Sequence, residues 1–339
     1  MSIRYTNLIQ PGRIGTLQLQ NRMAVAAMGV NLAEEVGSCG ERILAYHERQ
    51  AQGGAGLIVM GATGIAWPAG AVQPWQVAIS EDRHIPGLKA VAQACHKYGA
   101  KIVAQIHHGG LVAAQGLNDR PVWMPSPPPE GRNDLADYML MDEMMSMYNP
   151  DAPRQDMHVM THADIEHLAN QYAEAAARAV EAELDGVEIH AGHGYIISEF
   201  LSPAMNQRED EYGGSLENRA RLLMKVVAAV RDKVGRDYPV WVKLDSQEFG
   251  REQGITLEDA KVTARMVEKA GVDAIAVSAY HDPNRGATHA ESNIPHPVEQ
   301  MVGNATEIRQ CVSIPVISAG RIEPESGDRH IGKGHFDFL

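Results

Sequence analysis

The sequence predicts an α/β fold, and within that class a (β/α)8 TIM barrel. Eight short apolar runs alternate with amphipathic helical stretches through its 339 residues, the pattern of repeated βα units. No Gly-x-Gly-x-x-Gly follows the first run, which ends at Ala27, so a doubly wound dinucleotide-binding sheet would lack its first turn. Directly after the fourth run stand His190, His193 and Tyr195, at the strand end where such barrels keep their chemistry.

The runs cover residues 23–27, 57–60, 101–105, 186–189, 240–244, 274–277, 314–317 and 336–339. They are near-continuous in apolar residues, as strands buried on both faces must be. Between them the helical patterns fall at 41–52, 86–98, 164–184, 216–234, 257–270 and 298–310. Gly53, Gly99, Gly235 and Gly271 stand where a helix needs a glycine just past its end.

Two stretches break the regularity. An insertion at about 111–162 holds Ser126-Pro-Pro-Pro129 and eight of the 16 methionines, and reads as a lid presenting an adaptable apolar surface. The chain then stops at Leu339, inside the eighth run and before any eighth helix. It therefore reads as a single barrel domain over 1–339, truncated within strand 8 and missing part of its wall.

Composition narrows the function. Apolar residues at 44% are ample for a core, so disorder is not expected. A formal charge of −13 repels nucleic acid and anionic membrane surfaces, so neither is expected as a partner. Cys39, Cys95 and Cys311 are few, scattered and odd in number, which suits a reducing compartment; the amino terminus has no signal-peptide core, and no run of about 18 apolar residues occurs. These features predict a soluble cytoplasmic protein, with homo-oligomerisation left open.

The segment His190-Ala-Gly-His-Gly-Tyr195, continuing to Asp210-Glu-Tyr-Gly-Gly-Ser215-Leu-Glu-Asn-Arg219, carries most of the functional signal. Two imidazoles and a phenol within six residues can donate hydrogen bonds to a substrate oxygen and deliver a proton. An isolated His-x-x-His is more often a hydrogen-bonded loop pair. The spacing, the Gly-Gly turn and the long amphipathic helix behind it reverse that weighting.

With Leu19-Gln-Asn-Arg-Met23, Gly56-Leu-Ile-Val-Met-Gly-Ala62, Gln105-Ile-His-His-Gly109, Val242-Lys-Leu244 and Ile317-Ser-Ala-Gly-Arg321, that segment makes the chain from about Leu8 onward resemble the Old Yellow Enzyme family. The resemblance is to its long branch, which includes 2,4-dienoyl-CoA reductase, 2-enoate reductase and trimethylamine dehydrogenase. It implies FMN across the barrel mouth, with NADH or NADPH as electron donor. The implied reaction is ene-reduction: hydride passes from flavin N5 to the β-carbon of a small hydrophobic α,β-unsaturated carbonyl, enoate or acyl thioester.

The resemblance also implies roles. Ala26, Ala27 and Met28 line the flavin with Ala62 beside them, and Gln105 binds its pyrimidine portion. Lys243 takes the place of a frequent arginine near flavin N1, and Ser318, Gly320 and Arg321 hold the phosphate. His190 and His193 donate to the substrate carbonyl, and Tyr195 protonates the α-carbon. Gly29 departs from the Thr or Cys common in relatives, which removes one hydrogen bond to the flavin. Phe200, Tyr212, Asn218 and Arg219 read as structural, and His107, His108 and His281 as residues lining or supporting the site. An iron-sulfur cluster and a nucleotide-binding domain are expected only downstream of Leu339.

Two alternatives remain. One is amine dehydrogenation by the same family. The other is a metal-dependent hydrolase using His107, His108, His190 and His193, weakened because Glu188 should point opposite to its strand neighbours. No metal is expected.

Overall fold

The computed structural model describes residues 5–113, 121–127, 156–281 and 298–339. The chain opens with an antiparallel hairpin, β1 (Gly12–Ile14) and β2 (Leu17–Leu19). Then come β3 (Ala24–Val25), α1 (Glu41–Gln52), β4 (Leu57–Gly64), α2 (Ile85–His96) and β5 (Lys101–His107). The insertion contributes β6 (Val122–Met124) and β7 (Met157–Val159), paired parallel to each other. The alternation resumes with α3 (His162–Glu181) and β8 (Val187–Ala191), followed by the helices α4 (Ile196–Leu201), α5 (Leu216–Arg219) and α6 (Arg221–Val234). It ends with β9 (Val240–Phe249), α7 (Leu257–Ala270), β10 (Ile275–His281), α8 (Val302–Cys311), β11 (Val316–Ser318) and α9 (Pro324–Gly332).

The strands β3, β4, β5, β8, β9, β10 and β11 lie side by side in that order as one parallel sheet. Its two edges meet at the end of the chain. Ser318 N–H donates to Phe338 O at 2.9 Å and Phe338 N–H to Val316 O at 3.2 Å, while Ala24 N–H donates to Leu339 O at 2.7 Å and Leu339 N–H to Arg22 O at 3.0 Å. Residues 336–339 thus stand between β11 and β3, and the expected gap in the wall is corrected. One bridge, Ile317 with Phe338, and these flanking bonds suffice because the last residues reach both edges at once.

Strand alternation divides the apolar residues into two cores. Ile58, Ile102, Ile189, Val242 and Ile275 pack outward against the helices. Leu57, Val59, Val103, Trp241 and Phe338 fill the barrel interior together with Ile14, Leu17 and Leu19, so the hairpin plugs the amino-terminal end. The carboxyl-terminal end is thereby left as the open mouth. Helix starts follow their caps: Thr161 accepts from Asp164 N–H and Thr256 from Asp259 N–H, each with a returning aspartate that completes a capping box.

The helices at 41–52 and 257–270 fall where the sequence placed them, and the one expected at 216–234 breaks at Ala220. Gly99, Gly235 and Gly271 adopt positive φ, but at the end of α1 that role falls to Gly54 (φ 92°) while Gly53 stays helical. The hairpin, α4 and α9 were not anticipated. Each is short, and α9 contains Pro, Ser and two Gly, a composition without helical periodicity. The side chain of His281, five methionines of the insertion (139, 141, 144, 145 and 147) and most of the expected lid lie outside the described residues.

Phe338 is 1% exposed and packs inside the barrel where the two sheet edges meet. Phe338→Ala should lower unfolding free energy by about 3–5 kcal/mol, the usual loss for a buried phenylalanine. Urea unfolding checks this; a loss under about 1 kcal/mol would mean that the closure does not hold the barrel together.

Candidate active site

The floor of the mouth is a buried carboxylate. Glu188 is 2% exposed, and its two oxygens accept from Gln105 Nε2 and Trp241 Nε1, each at 2.7 Å. Glu188 does point opposite to Val187 and Ile189, but that puts it on the same barrel-facing side as His190, one layer deeper. Gln105 Oε1 in turn accepts from Ala62 N–H at 3.2 Å, where β4 is irregular between Met60 and Thr63. Ala62 has φ 44°, a left-handed conformation unusual for a residue with a Cβ. Gln76 Nε2 donates to Ala62 O at 2.5 Å, so both polar groups of this peptide are held. A Cβ on Gly61 would come within 2.3 Å of Met28 backbone atoms, so only glycine lets the end of the first strand lie against β4.

Above this floor the rings gather. In the β8/β9 register His190 stands opposite Lys243, which is 4% exposed. Tyr195, the N-cap residue of α4, has its ring centroid 4.4 Å from His107, 4.9 Å from His190 and 6.4 Å from His193. The two predicted imidazoles lie 4.9 Å apart. Gly192 N–H donates to His190 Nδ1 at 3.2 Å, so in the neutral ring the proton sits on Nε2. His193 has φ 62°; its N–H donates to Asp245 Oδ2 at 2.7 Å and its Nε2 lies 2.6 Å from Ser278 Oγ.

The phosphate-side residues sit beyond β11. Ser318 is fully buried, and its Oγ has no hydrogen-bond partner among the described residues. Gly320 (φ 104°) and Arg321 (φ 51°) turn the chain through two successive left-handed residues. Ala27 is 7% exposed whereas Met28 is 49% exposed, so of the expected flavin-lining residues Met28 is the one open to the surface.

The remaining candidates separate by role. His108 faces away from the mouth, its ring stacked on Trp123 at 5.4 Å and 19°. It helps line a cavity of about 520 Å³ between the loop after β4 and α3, together with Trp67 and His167. The four histidines proposed as metal ligands are therefore not brought to one point. Arg219 donates to Leu201 O at 2.8 Å and to Gly214 O at 2.5 Å, and Asn218 to Gly213 O at 3.0 Å, so the tail of the long motif ties α5 to the end of α4 and to the glycine turn before it. His162, Asp210 and Glu211 form a surface group with metal-ligand spacing, but Arg208 already pairs with Asp210 and holds its carboxyl down at about 2.

Sequence reasoning missed Asp245, Ser278 and Trp241. Period-2 counting would have found the first: Asp245 follows Lys243 by two residues along β9 and so shares its face. Burial pushes the Asp245 carboxyl up to about 8, and it pushes His107 down to about 3, with His108 adding to the effect, and His108 down to about 4.

Comparison with known proteins agrees with this arrangement. The sequence profile of the NADH:flavin oxidoreductase / NADH oxidase family matches residues 7–337. An NADH oxidase from Thermoanaerobacter brockii is 36% identical over 342 residues, covering 99% of this chain and 48% of that protein. Among solved structures, 2-naphthoyl-CoA reductase in complex with 2-naphthoyl-CoA superposes with a TM-score of 0.81 at 28% identity, covering 98% of this chain and 49% of that one. An Old Yellow Enzyme homologue from Zymomonas mobilis does so with a TM-score of 0.78 at 26% identity, covering 98% and 87%.

The fold is that of a flavin-dependent oxidoreductase barrel. The chain belongs to the NADH:flavin oxidoreductase / NADH oxidase family, in which FMN is the cofactor and NADH or NADPH the electron donor. It spans about half the length of the T. brockii relative. Its mouth fits FMN in chemistry: backbone and alanines on one side, buried Lys243 on the other, and an unpartnered buried hydroxyl beside the turn at Gly320.

The depressed histidines make a stability prediction. A ring held neutral in the folded protein stabilises it above pH 6.5, and that contribution is lost as pH falls from 6.5 through the folded value. His108→Gln should therefore flatten the fall in unfolding free energy between pH 6 and 5 by about 1.4 kcal/mol per pH unit. Urea titrations at the two pH values check it; an unchanged slope would mean that His108 takes up its proton in the folded state.

Proposed function

We propose that this chain is the FMN-binding barrel of an ene-reductase, a single domain over 1–339 whose insertion at about 111–162 covers the mouth. The observation that carries the reading is the convergence of His190, His193 and Tyr195 within 6.4 Å of one another, ring to ring, at the open end of the barrel. Two nitrogen donors beside one phenol suit a carbonyl oxygen flanked by a carbon awaiting a proton.

Ala26, Ala27, Met28 and Ala62 would hold the cofactor's ring system through backbone contacts, with Gln105 at its pyrimidine edge and Lys243 near N1. Ser318, Gly320 and Arg321 would take its phosphate, Arg321 through charge-assisted hydrogen bonds. When bound, FMN supplies hydride at N5 for the β-carbon of the substrate. The chain's own part is to bind and polarise. His190, protonated at Nε2, donates to the substrate oxygen with His193 and draws charge from the β-carbon. Tyr195 then gives its proton to the α-carbon and takes part in no earlier step. Lys243, a compact cation where relatives often carry a planar one, would stabilise negative charge on a bound flavin as a point charge and not as a bidentate fork.

The substrate class we favour is a bulky apolar enone, enoate or acyl thioester. Support comes from the methionines of the insertion and from the 2-naphthoyl-CoA held by the structurally similar reductase. No described helix is long and apolar enough to cross a membrane.

Tyr195→Phe tests the reading. In stopped-flow measurements, reduction of the bound flavin by NAD(P)H should keep its rate, while reoxidation by an enone should slow by about 100-fold or more, the scale of a general acid. Equal slowing of both halves would remove Tyr195 as the proton donor.

A further inference from the structure

Resting on the reading of His193 as a donor to the substrate oxygen, we propose that Asp245 is the positioning residue of this site: its carboxyl group locks the turn through Gly192, His193 and Gly194 and thereby sets where the His193 ring meets the substrate.

The contacts converge on that turn. Asp245 is 3% exposed, and its Oδ2 accepts the His193 N–H at 2.7 Å and the Ser198 hydroxyl at 3.2 Å. One carboxyl oxygen thus joins the turn to the first residues of α4. Its Oδ1 has no hydrogen-bond partner among the described residues and lies 3.9 Å from His193 Nε2. A Cβ on Gly192 would come within 2.7 Å of that same Oδ1, so the carboxyl group fits because residue 192 is glycine. His193 itself is held at φ 62° and Gly194 at φ 70°. A residue with a side chain keeps such a backbone only where its surroundings over-determine it, and the Asp245 bond to His193 N–H is the contact that does so. The ring is then placed from the far side, its Nε2 against Ser278 Oγ at 2.6 Å, while the Ser278 carbonyl accepts from Ser246 Oγ at 2.7 Å.

The charged and titratable groups that face Asp245 are His193 from the turn after β8 and Lys243 and Glu248 from β9, while Asp259 from α7 lines the same small cavity. Burial is the largest influence and pushes the carboxyl up to about 8; Glu248 pushes the same way, and the His193 N–H, Ser198 and Lys243 push against it. At neutral pH the group is therefore an uncharged acceptor for the turn. Above pH 8 it becomes an anion beside the position where negative charge gathers on the substrate oxygen.

The test uses flavin-loaded protein, with 4-chlorophenol as a probe for the oxygen-binding position, and ligand-free protein for the imidazole ¹⁵N spectrum of His193. Asp245→Ala should weaken 4-chlorophenol binding by at least about tenfold and shift the His193 ring resonances, with FMN content unchanged. Asp245→Asn keeps an acceptor for the turn, so it should restore wild-type affinity at pH 7, and between pH 7 and 9 its affinity relative to wild type should rise. Gly192→Ala disturbs the same contact from the other side and should reproduce the Asp245→Ala loss, which covers the case in which Asp245→Ala fails to fold. Wild-type affinity and unchanged His193 resonances in Asp245→Ala, or in Gly192→Ala where Asp245→Ala does not fold, would overturn this inference alone. Failure of the wild-type protein to bind 4-chlorophenol would overturn the reading of the site and this inference with it.

Discussion

The site depends on a carboxyl group buried inside the barrel. Glu188 cannot sit there unless both its oxygens are satisfied, and Gln105 and Trp241 satisfy them at 2.7 Å each. That requirement fixes the rotation of the Gln105 amide, which in turn claims Ala62 N–H and sets the irregular end of β4. Below this layer lies an apolar interior plugged by the hairpin; above it lie the imidazoles. Removing one partner would leave a buried Glu188 oxygen without its hydrogen bond, so the floor is held more firmly than any single contact suggests.

On that floor the mouth is built largely from backbone in uncommon conformations. Ala62, His193 and Arg321 all carry positive φ, and they stand at the ends of three different strands. Such residues cluster where geometry serves function; Ala62 is held by Gln105 and Gln76, His193 by Asp245 and Ser278, and Arg321 follows the left-handed Gly320. The common effect is to turn the chain sharply at the strand end, so that N–H groups, carbonyls and ring edges face the mouth. Helices α1 to α9 and the outer core keep the strand ends in register but contribute few atoms to the mouth itself.

Much of this was legible in the sequence. The parallel strands announced themselves as short apolar runs, because a strand buried on both faces has no polar alternation to hide it. His190, His193 and Tyr195 were legible because they follow such a run directly, and the structure gathers them as expected. Asp245 and Ser278 were not, since a lone Asp or Ser within a strand looks like any satisfied polar residue until the opposing chain is seen. The closure by residues 336–339 was misread although the run itself was picked out as the eighth strand: a chain ending inside it looked too short to complete the wall, and only its bonds to both β11 and β3 show that it does. His108 could have been separated from His107 by carrying the alternation of β5 one residue past its end, since adjacent residues of an extended chain face opposite ways.

The central claim is that the donors at the carboxyl-terminal mouth converge on one oxygen of a ligand lying over a flavin. A crystal structure of the FMN-loaded protein soaked with a para-substituted phenol tests it most directly. The account predicts the phenol oxygen within about 3.2 Å of ring nitrogens from both His190 and His193, with the Tyr195 hydroxyl over the ligand ring. A phenol seated in the cavity beside His108 and Trp123, or an oxygen touching neither histidine, would contradict it.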